Sequence, residues 1–166
     1  MVQLRPMTED EFRAYLDRSL QEYADEMVRS GTWAQEDAPR RARETFDNLL
    51  PHGLHTADHY LYTLVAEEEA QPVGMLWFAL IRRGSRPEAF IYDIHVDEAF
   101  RRRGYATQAL QALEERARAL GGERIGLHVF AHNQAARALY EKLGYRVTSL
   151  WMAKETPPVG DIERPA

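Results

Sequence analysis

Phe12, Leu16, Leu20, Tyr23 and Met27 recur three and four residues apart, which predicts an amphipathic helix running to about Ser30. Thr8 followed by Glu11 has capping-box spacing and opens it, and Gly31 stops it. Ahead of it, residues 2–7 form a short strand candidate, and residues 38–50 predict a second, more polar helix closed by Pro51 and Gly53. Residues 60–67 and 73–82 read as strands around a turn at 68–72, with Gly74 marking a bulge. The second of these, VGMLWFALI, is almost continuously apolar, as a strand covered on both faces must be. Residues 88–96 are the next strand, and 103–120 a helix with Ala106, Leu110, Leu113, Ala117 and Leu120 on its inner stripe. Residues 124–130 alternate, with Ile125, Leu127 and Val129 on one face and Gly126, His128 and Phe130 on the other. Asn133 caps a helix with Ala136, Leu139, Tyr140 and Leu143 inward, Gly144 ends it, and residues 145–154 form a last strand region.

The order β-α-α-β-β-β-α-β-α-β predicts an α/β (α+β) domain, a mixed sheet with helices on both faces. At 166 residues, 45% hydrophobic and 28% charged, the chain has the size and composition of one soluble globular domain. That domain is expected over residues 1–155, with a flexible tail at 156–166 that carries Pro157, Pro158 and Pro165. A net charge of −5 disfavours nucleic acid as a partner, so the basic residues must act locally. The absence of cysteine removes disulfides, thiolate metal sites and a cysteine nucleophile. No apolar run approaches the ~20 residues of a membrane span and no secretory signal is evident, so the expectation is a cytoplasmic protein without a membrane partner.

Two segments carry chemistry. Residues 101–106 read R-R-R-G-Y-A, between a strand and a helix. A phosphate seat needs crowded backbone N–H groups, a glycine that lets the ligand approach, and a helix beginning at once, with arginines to neutralise charge. A solvated basic turn would read the same. From Asn133 the chain reads N-Q-A-A-R-A-L-Y-E-K-L-G-Y, which places Asn133 and Tyr140 two turns apart on one helix face. Alone, this segment is equally an amphipathic helix with Tyr140 in the core.

Together and in this order the two segments resemble the GNAT superfamily of N-acetyltransferases. Arg101-x-x-Gly104-x-Ala106 is similar to the family's pyrophosphate loop, and Asn133 to Tyr145 to its second signature helix. Two positions depart from the usual pattern: Ala106 stands for the last glycine and Arg102 for the middle one. The resemblance implies a mostly antiparallel sheet of 6–7 strands flanked by about four helices, with a V-shaped splay between strands 88–96 and 124–130. It implies acetyl-CoA as co-substrate and no metal. The amides of Arg102, Arg103, Gly104, Tyr105, Ala106 and Thr107, with Arg101 beside them, would hold the pyrophosphate. Ile94, His95 and Val96 would line the pantetheine through their backbone, and Asn133, Ala136 and Tyr140 would touch the cofactor from the second helix.

Tyr140 occupies the position of the family's general acid, and a phenol near ~10 can protonate a thiolate near ~8.5. It could equally hydrogen-bond the sulfur or pack. A free amine is almost wholly protonated at neutral pH, so a base is needed. His128 is the first candidate, since a histidine titrates in the right range, and Asp93 the second; Tyr92 and His95 are weaker. His52, His55 and His59 read as loop surface. Tyr23, Trp33, Tyr60, Tyr62 and Trp77 could line an acceptor site or fill the core. The activity expected is acetyl transfer to a primary amine of a small molecule or peptide, by direct attack in a ternary complex. A catalytically silent CoA-binding sensor or interaction module is the alternative, and in either case the protein is expected to be a monomer or homodimer.

Overall fold

The computed structural model describes residues 1–82, 84 and 86–156. Within them the strands are β1 (Val2–Pro6), β2 (His59–Ala66), β3 (Gly74–Ile81), β4 (Glu88–Val96) and β5 (Arg124–Leu127). The helices are α1 (Glu9–Arg29), α2 (Ala38–Leu49), α3 (Tyr105–Ala119) and α4 (Gln134–Lys142). The sheet runs in chain order, antiparallel from β1 to β4 and parallel between β4 and β5. The fold is thus the mixed α+β expected, but with five strands and not six or seven. β5 stops at Leu127, so His128 follows the strand and is not part of it, and residues 145–154 form no strand. Of the tail expected at 156–166, residues 157–166 lie outside the described residues. No helix among the described residues is long and apolar enough to cross a membrane.

The chain divides into two compact units, residues 1–130 and 131–166. In the first, β3 is the core strand, and every residue from Gly74 to Leu80 is buried. Met75 and Trp77 join Phe12 and Tyr15 of α1, Phe46 of α2 and Leu61 of β2 in one apolar cluster. Phe78 lies on the opposite face, stacked with Tyr60 and Tyr62 of β2. There Arg116 of α3 donates to the Tyr62 hydroxyl at 3.0 Å, and Gln108 accepts from the Val2 N–H at 3.0 Å. Helices therefore cover both faces, as the unbroken apolar run of β3 demands.

Gly74 is a close-approach glycine and not a bulge, since a Cβ there would collide with the His95 carbonyl. The bulge lies across the ladder. Trp77 pairs with Asp93 and Phe78 with Ile91, which leaves Tyr92 as an extra residue in β4. Ile91 and Asp93 would share a face in a regular strand. Here the bulge turns Asp93 to the side of Trp77 and α1.

The start of α1 is tied to the sheet by one carboxylate. Glu11 closes the predicted capping box with Thr8 and also takes the Arg5 guanidinium of β1 and the Thr63 hydroxyl of β2, the latter at 2.9 Å. Burial opposes its charge, but Arg5, the Thr8 N–H and Thr63 together hold its pKa down at about 2 from 4.5. A depressed carboxylate stabilises the fold above its unfolded pKa and loses that contribution as pH falls through the folded one. Glu11→Gln should therefore lower stability at pH 7 by about 1 kcal/mol, after allowing for solvent screening of a partly exposed pair. The loss of stability between pH 4.5 and about 2 should be shallower in the variant, as denaturant melts across that range would show.

Candidate active site

The turn between β4 and α3 is shaped by two left-handed residues, Arg102 at φ 62° and Gly104 at φ 84°. A side chain at Arg102 makes that conformation costly, on the order of 1 kcal/mol, at the position where the resemblance expects glycine. A Cβ at Gly104 would meet nothing nearer than Gln108 Nε2 at 4.0 Å, so backbone conformation and not crowding calls for glycine. Helix α3 starts immediately afterwards. Its first backbone bond runs from the Gln108 N–H to the Gly104 carbonyl at 3.1 Å, and no side chain caps it. The N–H groups of Tyr105, Ala106 and Thr107 thus open the helix with no carbonyl of their own helix to bond, at its positive dipole end.

The arginines mostly brace this turn. Arg101 Nε donates to the Val96 carbonyl at 3.0 Å. Arg103 donates to Glu69 at 2.8 Å and lies over the Phe100 ring, and the Tyr105 hydroxyl donates to the same Glu69 oxygen at 2.8 Å. Arg102 is left exposed. Arg103 can therefore serve an anion through its amide but not, in this arrangement, through its guanidinium. Nothing in the sequence singles out Glu69, which lies in the turn after β2.

On the strand that leads into the turn, pairing is incomplete. Pairing of β4 with β5 runs from Glu88↔Arg124 to Ile91↔Leu127 and ends there, while β4 continues to Val96. The Asp97 N–H donates to the Val73 carbonyl at 2.9 Å, on the β3 side. By alternation, the backbone groups of Ile94 and Val96 turn to the opposite edge, as expected of a strand that receives an extended ligand, although Arg101 already engages the Val96 carbonyl. The His95 side chain stands opposite Met75, with Nε2 3.4 Å from Asp97 Oδ1.

On the α1 face the bulge assembles an aromatic cluster around a carboxylate. Trp77 stacks on Tyr92 at 4.6 Å between ring centroids and donates from Nε1 to His59 Nδ1 at 3.0 Å. His59 is thus a half-buried strand residue and not loop surface, and burial pushes its pKa down. The Tyr15 hydroxyl donates to Asp93 Oδ2 at 3.2 Å. Burial, with the adjoining Asp93 charge, raises the Tyr15 pKa well above the phenol range, and burial raises that of Asp93 against the hydrogen bond from Tyr15.

Of the residues proposed to line an acceptor site, Trp77 is core, and Tyr60 and Tyr62 turn to the α3 face. Tyr23 and Trp33 meet edge to face at 5.3 Å beside α2. His128 is exposed just beyond the last β4–β5 pair, its ring edge-on to Phe130 at 5.1 Å. Asp93 lies two residues beyond the same pair on β4. Both base candidates thus lie just past the last β4–β5 pair.

In the second unit, α4 forms as the pattern requires. Asn133 caps it by accepting from the Ala136 N–H at 3.2 Å, so its side-chain oxygen serves the helix. Ala136, Leu139, Tyr140 and Leu143 are shielded relative to their neighbours, and Tyr140 packs against Tyr145 at 5.6 Å between ring centroids.

Known proteins share this sequence and this fold. Residues 9–145 match the model of the acetyltransferase (GNAT) family. The uncharacterized N-acetyltransferase YycN of Bacillus subtilis is 45% identical over 154 residues, 93% of this chain and 98% of that one. The uncharacterized N-acetyltransferase YdgE of the same organism is 41% identical, over 92% and 96% of the two chains. The crystal structure of YycN superposes with a TM-score of 0.88, covering 95% of this chain and 99% of its own. Fold likeness extends at 15% identity to AAC(6')-Iy, with a TM-score of 0.59 over 95% and 99% of the chains, in a structure that holds a CoA-containing bisubstrate analogue. Alike in sequence and fold over nearly its whole length, the chain belongs to the GNAT family and is an acetyltransferase.

Proposed function

We propose that the protein transfers the acetyl group of acetyl-CoA to a primary amine of a small molecule or peptide, by direct attack within a ternary complex. The observation that carries this reading is the start of α3, uncapped by any side chain and entered through left-handed residues at Arg102 and Gly104. That is the donor set a pyrophosphate needs, and the residues present fit it. The amides of Gly104, Tyr105, Ala106 and Thr107 would hold the phosphates, with Arg102 adding charge. The outward backbone edge of Ile94 and Val96 would take the pantetheine, and Asn133 and Ala136 would contribute from α4.

Acetyl-CoA supplies an activated thioester, so the protein's task is to orient two reactants and move protons. An amine with pKa near 10.4 carries a deprotonation deficit of about 4–5 kcal/mol at pH 7. Asp93 or His128, directly or through water, takes that proton. Tyr140 gives one to the departing sulfur; the phenol is the weaker acid of the two, so the transfer is uphill by about 2 kcal/mol, but at pH 7 the phenol is protonated and able to donate.

Tyr140→Phe should lower kcat roughly 100-fold, the lower end of what a positioned acid contributes, with acetyl-CoA affinity within about twofold of the parent. Thiol release against a panel of amines, amino acids and peptides, alongside calorimetric titration, checks both halves. Unchanged turnover on every acceptor would remove Tyr140 from that role, and binding without release from any acceptor would favour the silent sensor. Gly104→Val should weaken acetyl-CoA binding at least ~10-fold, because a β-branched residue resists positive φ and its side chain would intrude on the phosphate seat.

A further inference from the structure

We infer that Tyr15 is a positioning residue for Asp93, and that this pair, rather than His128, receives the proton of the attacking amine. The inference rests on the proposed acetyl transfer and deepens it by naming the base and the residue that aims it. The geometry is specific. The bulge at Tyr92 brings Asp93 onto the α1 face, opposite Trp77. Tyr15, 3% exposed, reaches it from one turn into α1, and Trp77 holds the Tyr15 ring edge-on at 6.5 Å. A phenol sealed this tightly needs a partner for its hydroxyl, and Asp93 Oδ2 is that partner.

The other carboxylate oxygen is available. Among the described residues Asp93 Oδ1 makes no hydrogen bond, and it is not sealed from solvent. One oxygen is thus held by the protein while the other can meet an amine or a bridging water. Asp93 stands on the stretch of β4 beyond its last pair with β5, next to the backbone edge of Ile94. His128, by contrast, is exposed, its ring edge-on to Phe130.

The charges around Asp93 suit a base. From α1 it faces Tyr15, Arg18 and Glu22, and from its own strand His95, whose ring lies 3.4 Å from Asp97. Arg18 lies 3.8 Å from Glu22 and 4.0 Å from the same Asp97, so its positive charge is not reserved for Asp93. Trp77 of β3 adds no charge, and His59 of β2 is bonded to Trp77 and held toward its neutral form by burial. Burial raises the proton affinity of Asp93, and the hydrogen bond from Tyr15 opposes that rise by favouring the carboxylate. In the step itself the amine nitrogen loses a proton to Asp93 Oδ1, directly or through water, as it bonds to the acetyl carbon.

The test compares Tyr15→Phe, Asp93→Asn and His128→Ala in the full-length protein. It reads kcat against pH and follows the Asp93 carboxyl by 13C NMR, assigned through its absence in Asp93→Asn. Loss of the phenol donor should move both the carboxyl titration and the acid limb of kcat up by about one pH unit. It should also lower kcat roughly tenfold at the parent's optimum while acetyl-CoA affinity stays unchanged. Asp93→Asn should abolish the limb and lower kcat at least ~100-fold, and His128→Ala should alter kcat less than threefold. A fully active Asp93→Asn would remove the base itself from the proposed mechanism. An inactive Asp93→Asn beside a Tyr15→Phe with unmoved titration and limb would overturn the role of Tyr15 alone. Should Tyr15→Phe not fold, difluorotyrosine placed at position 15, a stronger donor, must move the carboxyl titration down, and an unmoved titration overturns the inference.

Discussion

Two neighbours in β4, Tyr92 and Asp93, share the place opposite Trp77 that a regular antiparallel ladder would give to one residue. Because side chains alternate along a strand, that single insertion reverses the face of everything after it. Without it Asp93 and His95 would point toward α3, into the layer built on Phe78 and Tyr62. With it they point toward α1, and the backbone that follows runs free of β5 past Ile91. The same short length of strand thus offers a polar side chain on one face and a backbone edge free of β5 beside it. An enzyme that joins an extended thioester to an amine needs those two surfaces next to each other.

The layer under α1 stays fixed because its helix is fastened at two polar points and along an apolar stripe. Glu11 ties its first turn to β1 and β2, and Tyr15, one turn on, ties it to β4. Phe12, Leu16 and Leu20 pack beside and beyond these points against Met75, Trp77 and their neighbours. The turn before α3 is fastened through Glu69 and the Val96 carbonyl. Most of its side-chain charge is directed back into the protein, and its backbone N–H groups carry the outward-facing chemistry. This explains how a loop with three successive arginines can present an ordered cradle rather than a mobile basic patch.

Much of this was legible in the sequence, for physical reasons that differ by element. The capping box at Thr8 and Glu11, the apolar run of β3 and the Asn133 cap are local rules, and each formed as read. The R-R-R-G-Y-A turn was legible because positive φ and a helix start leave a trace in residue type. The bulge was not, since the face of a residue depends on its register against another strand; Gly74 drew attention instead, though its role is to admit the His95 carbonyl. The alternation of residues 124–130 suggested a longer strand than forms, because alternation continues where pairing has stopped. Tyr15 fell outside the stripe drawn through Phe12 and Leu16, and its partner lies 78 residues away. His59 was misread for the same reason, its neighbour Trp77 being visible only across the ladder.

The proposed reaction requires the backbone turn before α3 to hold the pyrophosphate of acetyl-CoA. The most direct measurement is calorimetric titration of the protein with acetyl-CoA and, in parallel, with acetyl-pantetheine, which carries the same thioester but no pyrophosphate. Charge-assisted hydrogen bonds to the phosphates should make acetyl-CoA bind at least ~100-fold more tightly, with the difference shrinking as salt is raised. Equal affinities for the two ligands, or no binding of acetyl-CoA at all, would contradict the account.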